Sequence, residues 1–215
     1  MTSRAVLWDL DGTLVDSADL HWRAWRETMS GEGFSLSEDE FRATFGWRND
    51  AILRRWLGEG LDPASIESIG AAKEERYREL VRHGGIAALP GAAEWVRRLH
   101  VEGWRQAVAS SAPRLNIGVV LEALGLTDQF QAAASAEDVE HGKPDPQVFL
   151  VAAARLDVEP ARCIVVEDAA AGIEAARRGG MRSIGVRRDG SPLAADIRVS
   201  SLADLPPDAF AGLIR

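Results

Sequence analysis

The sequence predicts an α/β protein: a Rossmann-like parallel sheet with helices on both faces, plus an inserted all-helical domain. From Pro90 onward, short apolar runs alternate with helical patterns, which is typical of a parallel sheet whose strands are joined by helices. Between the first apolar run and Pro90, the chain contains helical patterns and none that reads as a strand. We therefore expect a core domain at residues 1–15 and 90–215, interrupted by a helical domain at residues 16–89.

The composition narrows the classes of partner. The 215-residue chain is 46% hydrophobic and 27% charged, which is typical of a globular protein with a sizeable core. Its formal net charge of -8 argues against nucleic acid or an anionic membrane as the main partner, but not against a small phosphorylated metabolite. The single cysteine, Cys163, excludes an intrachain disulfide, and no segment resembles a signal peptide or a membrane span. We expect a cytoplasmic protein whose oligomeric state is open, a monomer being one alternative.

The helices of the insertion begin at residue types that favour a helix start. The residues that can cap them are Asp16 or Ser17, Ser37, Asn49 and Asp62. Glu40 stands three residues after Ser37, which is the spacing of a capping box, and Pro63 favours the first turn of the last helix. With their caps, the four predicted helices span 16–31, 37–45, 49–57 and 62–83.

The core elements follow from apolar runs and the turn residues that bound them. The predicted strands are 5–8, 105–109, 131–134, 163–166, 182–186 and 197–199. The predicted helices are 90–100, 113–124, 146–156, 169–179 and 209–214. Because parallel strands end at a common edge, side chains that follow these strands should meet in one crevice.

Two carboxylates follow the first strand. Asp9 and Asp11 are two residues apart, so they point to the same side of the sheet if the strand geometry persists, close enough to share a cation. Gly12 then allows a sharp turn. Asp and Gly also commonly terminate strands, so a turn without chemistry is an alternative for this segment alone.

Further polar side chains fall at the same predicted edge. Ser110 follows the second strand, Lys143 precedes a helix, and Glu167 with Asp168 follow the fourth strand. Together with the first carboxylates, these groups predict a phosphate site that contains a divalent cation. Taken singly, Ser110 could cap a helix, Lys143 could be a solvated loop charge, and the two acids could favour a helix N-terminus.

These residues resemble the four ordered motifs of the haloacid dehalogenase-like (HAD) superfamily over almost the whole chain. The motifs are Asp9-Leu-Asp-Gly-Thr13, Ser110 after an apolar strand, Lys143 in Gly-Lys-Pro-Asp-Pro, and Glu167-Asp168 before Ala-Ala-Ala-Gly-Ile. The chain looks like the phosphatase and β-phosphoglucomutase subgroup, in which a small helical cap is inserted directly after the first motif. The second acid, Asp11, is the mark of the phosphate-transferring members, so dehalogenase chemistry is disfavoured.

The resemblance implies a mechanism that the residue chemistry supports. Asp9 would attack phosphorus and form an aspartyl phosphate, and Asp11 would act as the general acid and base. Mg2+ would be bound by Asp9, Asp168 and the backbone carbonyl of Asp11, with Glu167 assisting.

The resemblance also implies ligands for the phosphate oxygens. Lys143 and Ser110 would hold the transferring oxygens, with Ser111 beside them. Where mutases carry a Ser-Lys-Asn-like set for a distal phosphate, this chain has Ala112-Pro113-Arg114, which loses a hydroxyl and an ammonium. Arg114 is a possible substitute. This weaker distal site favours a phosphatase that acts on a monophosphate.

Five residues of the insertion are candidate substrate-binding residues. His21, Trp25, Arg48 and Lys73 match, with their local context, cap residues of β-phosphoglucomutase, where the histidine and lysine help to gate the general acid and the arginine holds the non-transferring phosphate. Trp47 belongs to a group of cap tryptophans that could stack on a sugar or exclude water. Ordinary packing of the aromatic residues and solvation of the charged ones are the alternatives.

We therefore expect a Mg2+-dependent phosphatase for a small phosphate monoester, such as a sugar phosphate or a related metabolite. A β-phosphoglucomutase-like isomerase of hexose phosphates is the first alternative. A non-catalytic phosphate-binding module is the second, and it is disfavoured because no core motif residue is substituted. The sequence identifies neither the substrate nor the pathway.

Overall fold

A six-stranded parallel sheet, in the order β3-β2-β1-β4-β5-β6, is formed by the residues that the structure describes. The computed structural model describes residues 3–187 and 191–214. Residues 1–2, 188–190 and 215, which belong to the predicted core domain, lie outside the described residues. The strands are β1 (Ala5–Trp8), β2 (Arg105–Ala109), β3 (Ala132–Ala134), β4 (Cys163–Glu167), β5 (Arg182–Val186) and β6 (Ile197–Val199). The predicted α/β class with a parallel sheet is confirmed.

The chain divides into two compact units. The helical unit is Ser17–Ile86, and the core unit is Met1–Asp16 with Ala87–Arg215. The helical unit contains α1 (Ala18–Gly31), α2 (Glu38–Thr44), α3 (Asn49–Leu57) and α4 (Pro63–Gly84). The core unit contains α5 (Ala92–Val101), α6 (Arg114–Leu124), α7 (Gln147–Arg155), α8 (Ala170–Arg178) and α9 (Ala209–Leu213). That the helical unit serves as a cap stays a prediction.

Within residues 3–187 and 191–214, no helix combines the length and the apolar composition that crossing a membrane requires.

Short 3₁₀ helices, which the sequence patterns did not predict, connect elements of the core unit. They are Thr127–Gln129, Ala136–Asp138, Pro160–Arg162 and Leu202–Asp204.

The central strand β1 is buried because helices cover both faces of the sheet. Its neighbours are β2 and β4, and all of its residues have no exposed surface. Ala5 and Leu7 belong to an apolar cluster that includes Phe149 of α7, and the predicted small core residue Cys163 lies in the same cluster. Residues that alternate with these along the strand point to the opposite face. This double burial explains why the strand is a continuous apolar run.

The opposite face carries an aromatic cluster and a buried polar bridge. The ring of Trp8 lies 6.0 Å from that of Phe210 in α9, which also contacts Trp95 of α5 at 5.0 Å. The indole nitrogen of Trp8 donates to Gln106 Oε1 at 2.9 Å, and Gln106 Nε2 donates to the carbonyl of Val96 at 2.9 Å. Gln106 therefore joins β1, β2 and α5 without leaving its own amide unpaired.

The helical unit has an apolar core of its own, which includes Trp25, Met29 and Phe41. The predicted capping box is confirmed, because the Ser37 side chain accepts from the backbone nitrogen of Glu40 and the Glu40 side chain accepts from that of Ser37. The Asp62 cap is also confirmed, since its side chain accepts from Ser65.

The predicted cap of α3 is wrong. The N-cap residue is Arg48, and Asn49 is the first helical residue. The Asn49 amide instead donates to Glu74 Oε1 at 2.7 Å, so a tertiary hydrogen bond has replaced the local one. The sequence pattern contained no sign of this partner.

Replacing Gln106 tests the buried polar bridge. We expect Gln106→Met to lower the free energy of unfolding by about 1 to 3 kcal/mol, because the buried indole N–H of Trp8 would lose its acceptor. Urea unfolding measures the change. In the control variant Trp8→Phe, which lacks this N–H, the same replacement of Gln106 should cost less. Equal costs in both backgrounds would contradict this account.

Candidate active site

A tight loop follows β1 at the carboxyl edge of the sheet. The backbone nitrogen of Asp9 donates to Val166 of β4 at 3.0 Å, and that of Gly12 donates to Val15 at 2.8 Å. Gly12 has a φ of 86°, and a Cβ built on it would lie 2.3 Å from Asp168 Oδ2. Only glycine meets both conditions, the left-handed backbone and the close approach of a carboxylate. The loop after β1 and the acid after β4 are thus brought into contact.

Three carboxylates meet at this edge. One oxygen each from Asp9, Glu167 and Asp168 lies within 4.8 Å of the others, and the first two side chains are buried. Lys143, from the loop before α7, donates from Nζ to Asp9 Oδ1 at 2.5 Å and to Glu167 Oε2 at 2.7 Å. A single ammonium therefore bridges the ends of β1 and β4, where it also lies 5.0 Å from the ring centre of Phe149.

The electrostatics of this cluster favour an added cation. Burial, together with the charge of Glu167, raises the pKa of Asp9 well above its usual value. The same two causes raise the pKa of Asp168 to about 7. Burial opposes the charge of Lys143, but Asp9 and Glu167 raise its pKa above the ordinary value. Three acids with one ammonium leave excess negative charge, so the oxygen-rich donor set fits a divalent cation such as Mg2+.

Glu167 is held by the surrounding backbone. Its Oε1 accepts from the backbone nitrogen of Ala169 at 3.1 Å. A Cβ built on Gly172, in the first turn of α8, would lie 2.1 Å from the carboxyl carbon of Glu167. The contacts with Lys143, Ala169 and Gly172 fix this side chain. The alternative that Glu167 only stabilises a helix N-terminus therefore does not account for its position.

Ser110 and Lys143 occupy buried positions rather than the alternatives considered for them. Ser110, at the end of β2, is 2% exposed, and its Oγ accepts from the backbone nitrogen of Ala112 at 3.1 Å. The N-cap position of α6 is Pro113, so Ser110 does not cap that helix. The side chain of Lys143 is 10% exposed, so it is not a solvated loop charge. The Ser110 hydroxyl hydrogen is not used in the bond to Ala112 and can be donated to a ligand.

The carboxylate of Asp11 is not part of the three-acid cluster. β1 ends at Trp8, and the chain turns so that Asp11 forms an isolated bridge with Val15. The strand geometry therefore does not persist to Asp11, and a cation shared by its carboxylate and that of Asp9 stays a prediction. Metal binding through the backbone carbonyl of Asp11 stays a prediction, as does its role as general acid and base.

Ser111 follows β2 in the loop that leads to α6, and Arg114 is the first residue of that helix. The guanidinium of Arg114 donates to Asp138 Oδ1 at 2.5 Å, and its backbone nitrogen donates to Glu137. Arg155 also donates to Asp138, at 2.6 and 2.8 Å. Ser111 is partly exposed. Arg114 therefore already pairs with an acid, which weakens its case as a substitute anchor for a distal phosphate.

Three of the candidate residues in the helical unit lie together. Lys73 Nζ lies 3.0 Å from His21 Nδ1 and 5.1 Å from the ring centre of Trp25. The imidazole of His21 stacks on Tyr77, with ring centres 4.1 Å apart. Trp25 packs edge to face on Trp56 at 5.1 Å within the apolar core. The packing alternative therefore describes Trp25 well.

Trp47 and Arg48 lie just before α3. Trp47 is 51% exposed, and Arg48 Nε approaches Asp50 Oδ1 at 3.4 Å. Their roles in substrate binding stay predictions. The sequence patterns also missed one buried acid, Glu74, because an acid next to Lys73 in a charged helix looks like an ordinary solvated residue.

The fold and the site define an α/β enzyme whose buried carboxylates meet at the carboxyl ends of parallel strands. A model of the haloacid dehalogenase-like hydrolase family matches residues 3–180. The chain belongs to this family, and the predicted resemblance is confirmed.

Relatives cover nearly the whole chain. Hexitol phosphatase B of Escherichia coli (strain K12) is 34% identical over 208 residues, which are 94% of this chain and 93% of the relative. The β-phosphoglucomutase of Bacillus subtilis (strain 168) is 32% identical over 210 residues, with 94% and 91% covered. The structure of a mutant CbbY from Rhodobacter sphaeroides in complex with xylulose-(1,5)bisphosphate matches with a TM-score of 0.89, 30% identity and 100% of both chains.

Removing one carboxylate tests the cation site. We expect Mg2+ to raise the thermal unfolding midpoint, because an ion that binds only the folded state stabilises that state. The rise should disappear in Asp168→Asn, which loses a charged ligand, and persist in Asp11→Asn, whose carboxylate lies outside the cluster. A rise of equal size in the parent and in Asp168→Asn would rule out Asp168 as a ligand.

A second variant tests the close approach at Gly12. Gly12→Ala and the control Gly103→Ala both place Cβ on a left-handed backbone, with φ values of 86° and 76°, but nothing lies within 4 Å of Gly103. We expect each to cost about 1 to 2 kcal/mol of stability. Only Gly12→Ala should also displace Asp168 and weaken Mg2+ binding, measured by titration. Similar Mg2+ affinities in the two variants would show that the contact does not matter.

Proposed function

We propose that this protein is a Mg2+-dependent phosphatase that hydrolyses a small phosphate monoester through an aspartyl-phosphate intermediate. A sugar phosphate or a related metabolite is the substrate class. The observation that carries the proposal is the position of Asp9, which is held at the end of β1 by Lys143 within a cluster that fits a divalent cation.

Asp9 is the nucleophile in this proposal. One of its carboxylate oxygens attacks phosphorus, the bond to the leaving oxygen breaks, and Asp11 donates a proton to that oxygen. A water molecule then attacks the phosphorus of the aspartyl phosphate and passes a proton to Asp11. The bond between phosphorus and the Asp9 oxygen breaks, which releases phosphate and restores the Asp9 carboxylate. Each half uses the same two carboxyl groups, so the enzyme returns to its starting protonation state.

The surrounding positive groups would make this attack feasible. Asp9 must be ionised to attack, and burial opposes its ionisation. Lys143 favours the ionised form and would hold a phosphate oxygen, and Ser110 would donate its hydroxyl hydrogen to another. Mg2+, held by Asp9, Asp168 and the backbone carbonyl of Asp11 with Glu167 assisting, would reduce the repulsion between the carboxylate and the phosphate oxygens.

The loop after β2 supports hydrolysis over isomerisation. A mutase needs a second phosphate anchor, and Ala112 and Pro113 offer neither a hydroxyl nor an ammonium. Arg114, the remaining candidate, is paired with Asp138. A small monophosphate requires no such anchor.

A mutase is the second candidate function, and it is favoured by a specific contact. His21 and Lys73, which resemble gating residues of β-phosphoglucomutase, lie 3.0 Å apart, and the Bacillus subtilis relative bears that name. In either function we propose that His21 and Lys73 gate the general acid, while Trp25, Trp47 and Arg48 shape the region that accepts the substrate. Ser111 would contribute a hydroxyl beside Ser110.

The proposal also covers location and partners. The single cysteine, Cys163, is buried and unpaired, which suits a cytoplasmic protein with no need for disulfides. The formal net charge of -8 disfavours nucleic acid and anionic membranes as partners. The partner proposed here is therefore a small phosphorylated metabolite.

The experiment that tests the proposal compares two products from one panel of phosphorylated metabolites, which includes β-glucose 1-phosphate with a trace of the bisphosphate. Free phosphate and isomer formation are measured in parallel. We expect phosphate release to outpace isomerisation for every substrate. Isomerisation faster than release would make the mutase correct, and neither product would support the non-catalytic module.

A variant of the nucleophile completes the test. Asp9→Asn keeps the shape of the side chain but removes its charge, so we expect turnover to fall by several orders of magnitude while the fold is kept. The control is Asp128→Asn, which changes an exposed carboxyl group and should leave turnover unchanged. Near-parental activity in Asp9→Asn would refute the aspartyl-phosphate mechanism.

A further inference from the structure

The helical unit contains two adjacent charged residues that are both buried. Lys73 is 3% exposed and Glu74 is 7% exposed, although charged side chains are rarely buried unless they are paired. Successive residues of a helix point about 100° apart, so the two side chains leave α4 in different directions. Lys73 reaches His21 of α1, and Glu74 reaches Asn49 of α3. This buried cluster therefore links three helices.

One carboxylate oxygen joins the two directions. Glu74 Oε1 accepts from Lys73 Nζ at 2.8 Å and from Asn49 Nδ2 at 2.7 Å. Burial opposes ionisation of Glu74, but the two hydrogen bonds donated to this oxygen favour the carboxylate. Glu74 is thus the charged partner of the buried Lys73 ammonium inside the helical unit.

The contact between Lys73 and His21 fixes the direction of a hydrogen bond. A protonated lysine has only hydrogens to donate, so Nδ1 of His21, 3.0 Å away, must be the acceptor. A neutral imidazole that accepts at Nδ1 carries its proton at Nε2. The ring of Tyr77, stacked on the imidazole at an interplanar angle of 7°, holds the plane of the imidazole in place.

Without Glu74, this direction would be lost. Besides Glu74, the Lys73 ammonium contacts the imidazole of His21 and the ring faces of Trp25 and Tyr77. Without the carboxylate, no charged partner among these contacts holds Nζ as the donor to Nδ1. If Nζ no longer donates to Nδ1, His21 can carry its proton at Nδ1 instead. The carboxylate of Glu74 therefore controls which nitrogen of His21 can donate.

We propose that Glu74 is a positioning residue which, with Asn49, holds Lys73 as the hydrogen-bond donor to His21 Nδ1 and thereby fixes His21 as the tautomer that donates from Nε2. This inference rests on the proposed function, in which His21 gates the general acid Asp11. Glu74 touches neither substrate nor reacting atoms in this account. It acts through Lys73 and His21.

The variant Glu74→Gln tests this proposal in the full-length protein. Glutamine keeps the size of the side chain and an oxygen that can accept from Lys73 and Asn49, but it removes the charge. The matched control is Glu67→Gln, an exposed acid on the same helix. The tautomer of His21 is measured by long-range proton–nitrogen NMR of the imidazoles, which is practical because the chain has only 4 histidines. The variant His21→Gln identifies the signal.

We expect His21 to be protonated at Nε2 in the parent and in Glu67→Gln, and to shift towards the Nδ1 tautomer in Glu74→Gln. We also expect kcat of Glu74→Gln to fall by up to about a hundredfold with little change in KM, since a displaced gating group affects turnover more than binding. An unchanged tautomer in a folded Glu74→Gln would overturn the proposal, and so would a parent protonated at Nδ1.

Two safeguards keep the outcome decisive. If Glu74→Gln does not fold, Asn49→Ala, which removes one hydrogen bond to Glu74 and leaves its charge, should produce a smaller shift of the same kind. An unchanged His21 signal in that variant would then overturn the proposal. If the parent releases no phosphate, the proposed function fails, while the NMR result still decides whether Glu74 sets the tautomer of His21.

Discussion

The ammonium of Lys143 is the contact on which the rest of the core site depends. Asp9, Glu167 and Asp168 lie within 4.8 Å of one another, and they cannot all stay ionised at this separation without positive charge between them. Lys143 supplies part of that charge by donating to Asp9 and Glu167, which join the ends of β1 and β4. Removing one partner of such a buried group would leave the others uncompensated, so the cluster behaves as a unit.

Backbone shape limits this cluster as strictly as charge does. A Cβ at Gly12 would meet Asp168 at 2.3 Å, and a Cβ at Gly172 would meet Glu167 at 2.1 Å. These two glycines let the loop after β1 and the first turn of α8 close around the acids. Glycine is therefore required at these two positions for a steric reason, the lack of space for a Cβ beside a carboxylate, and not only for turn formation.

The sequence predicted those features that one strand or helix determines by itself. β1 and β4 were identified because burial on both faces makes each a continuous apolar run. The direction of the Asp11 side chain was left conditional on the strand geometry, because it depends on where the chain turns after Trp8. The first residue of α3 and the burial of Glu74 were missed for a related reason. Both depend on the contact between Asn49 and Glu74, residues far apart in sequence.

The two units use a buried ammonium in contrasting ways. In the core unit, Lys143 faces an excess of carboxylates, and burial together with the charge of Glu167 raises the pKa of Asp168 to about 7. In the helical unit, Lys73 faces one carboxylate and one imidazole, so the ammonium and the acid balance. An unbalanced acidic cluster attracts a divalent cation, whereas a balanced pair has no such need. The same side-chain type therefore helps to complete a cation site in the core unit and fixes the direction of a hydrogen bond in the helical unit.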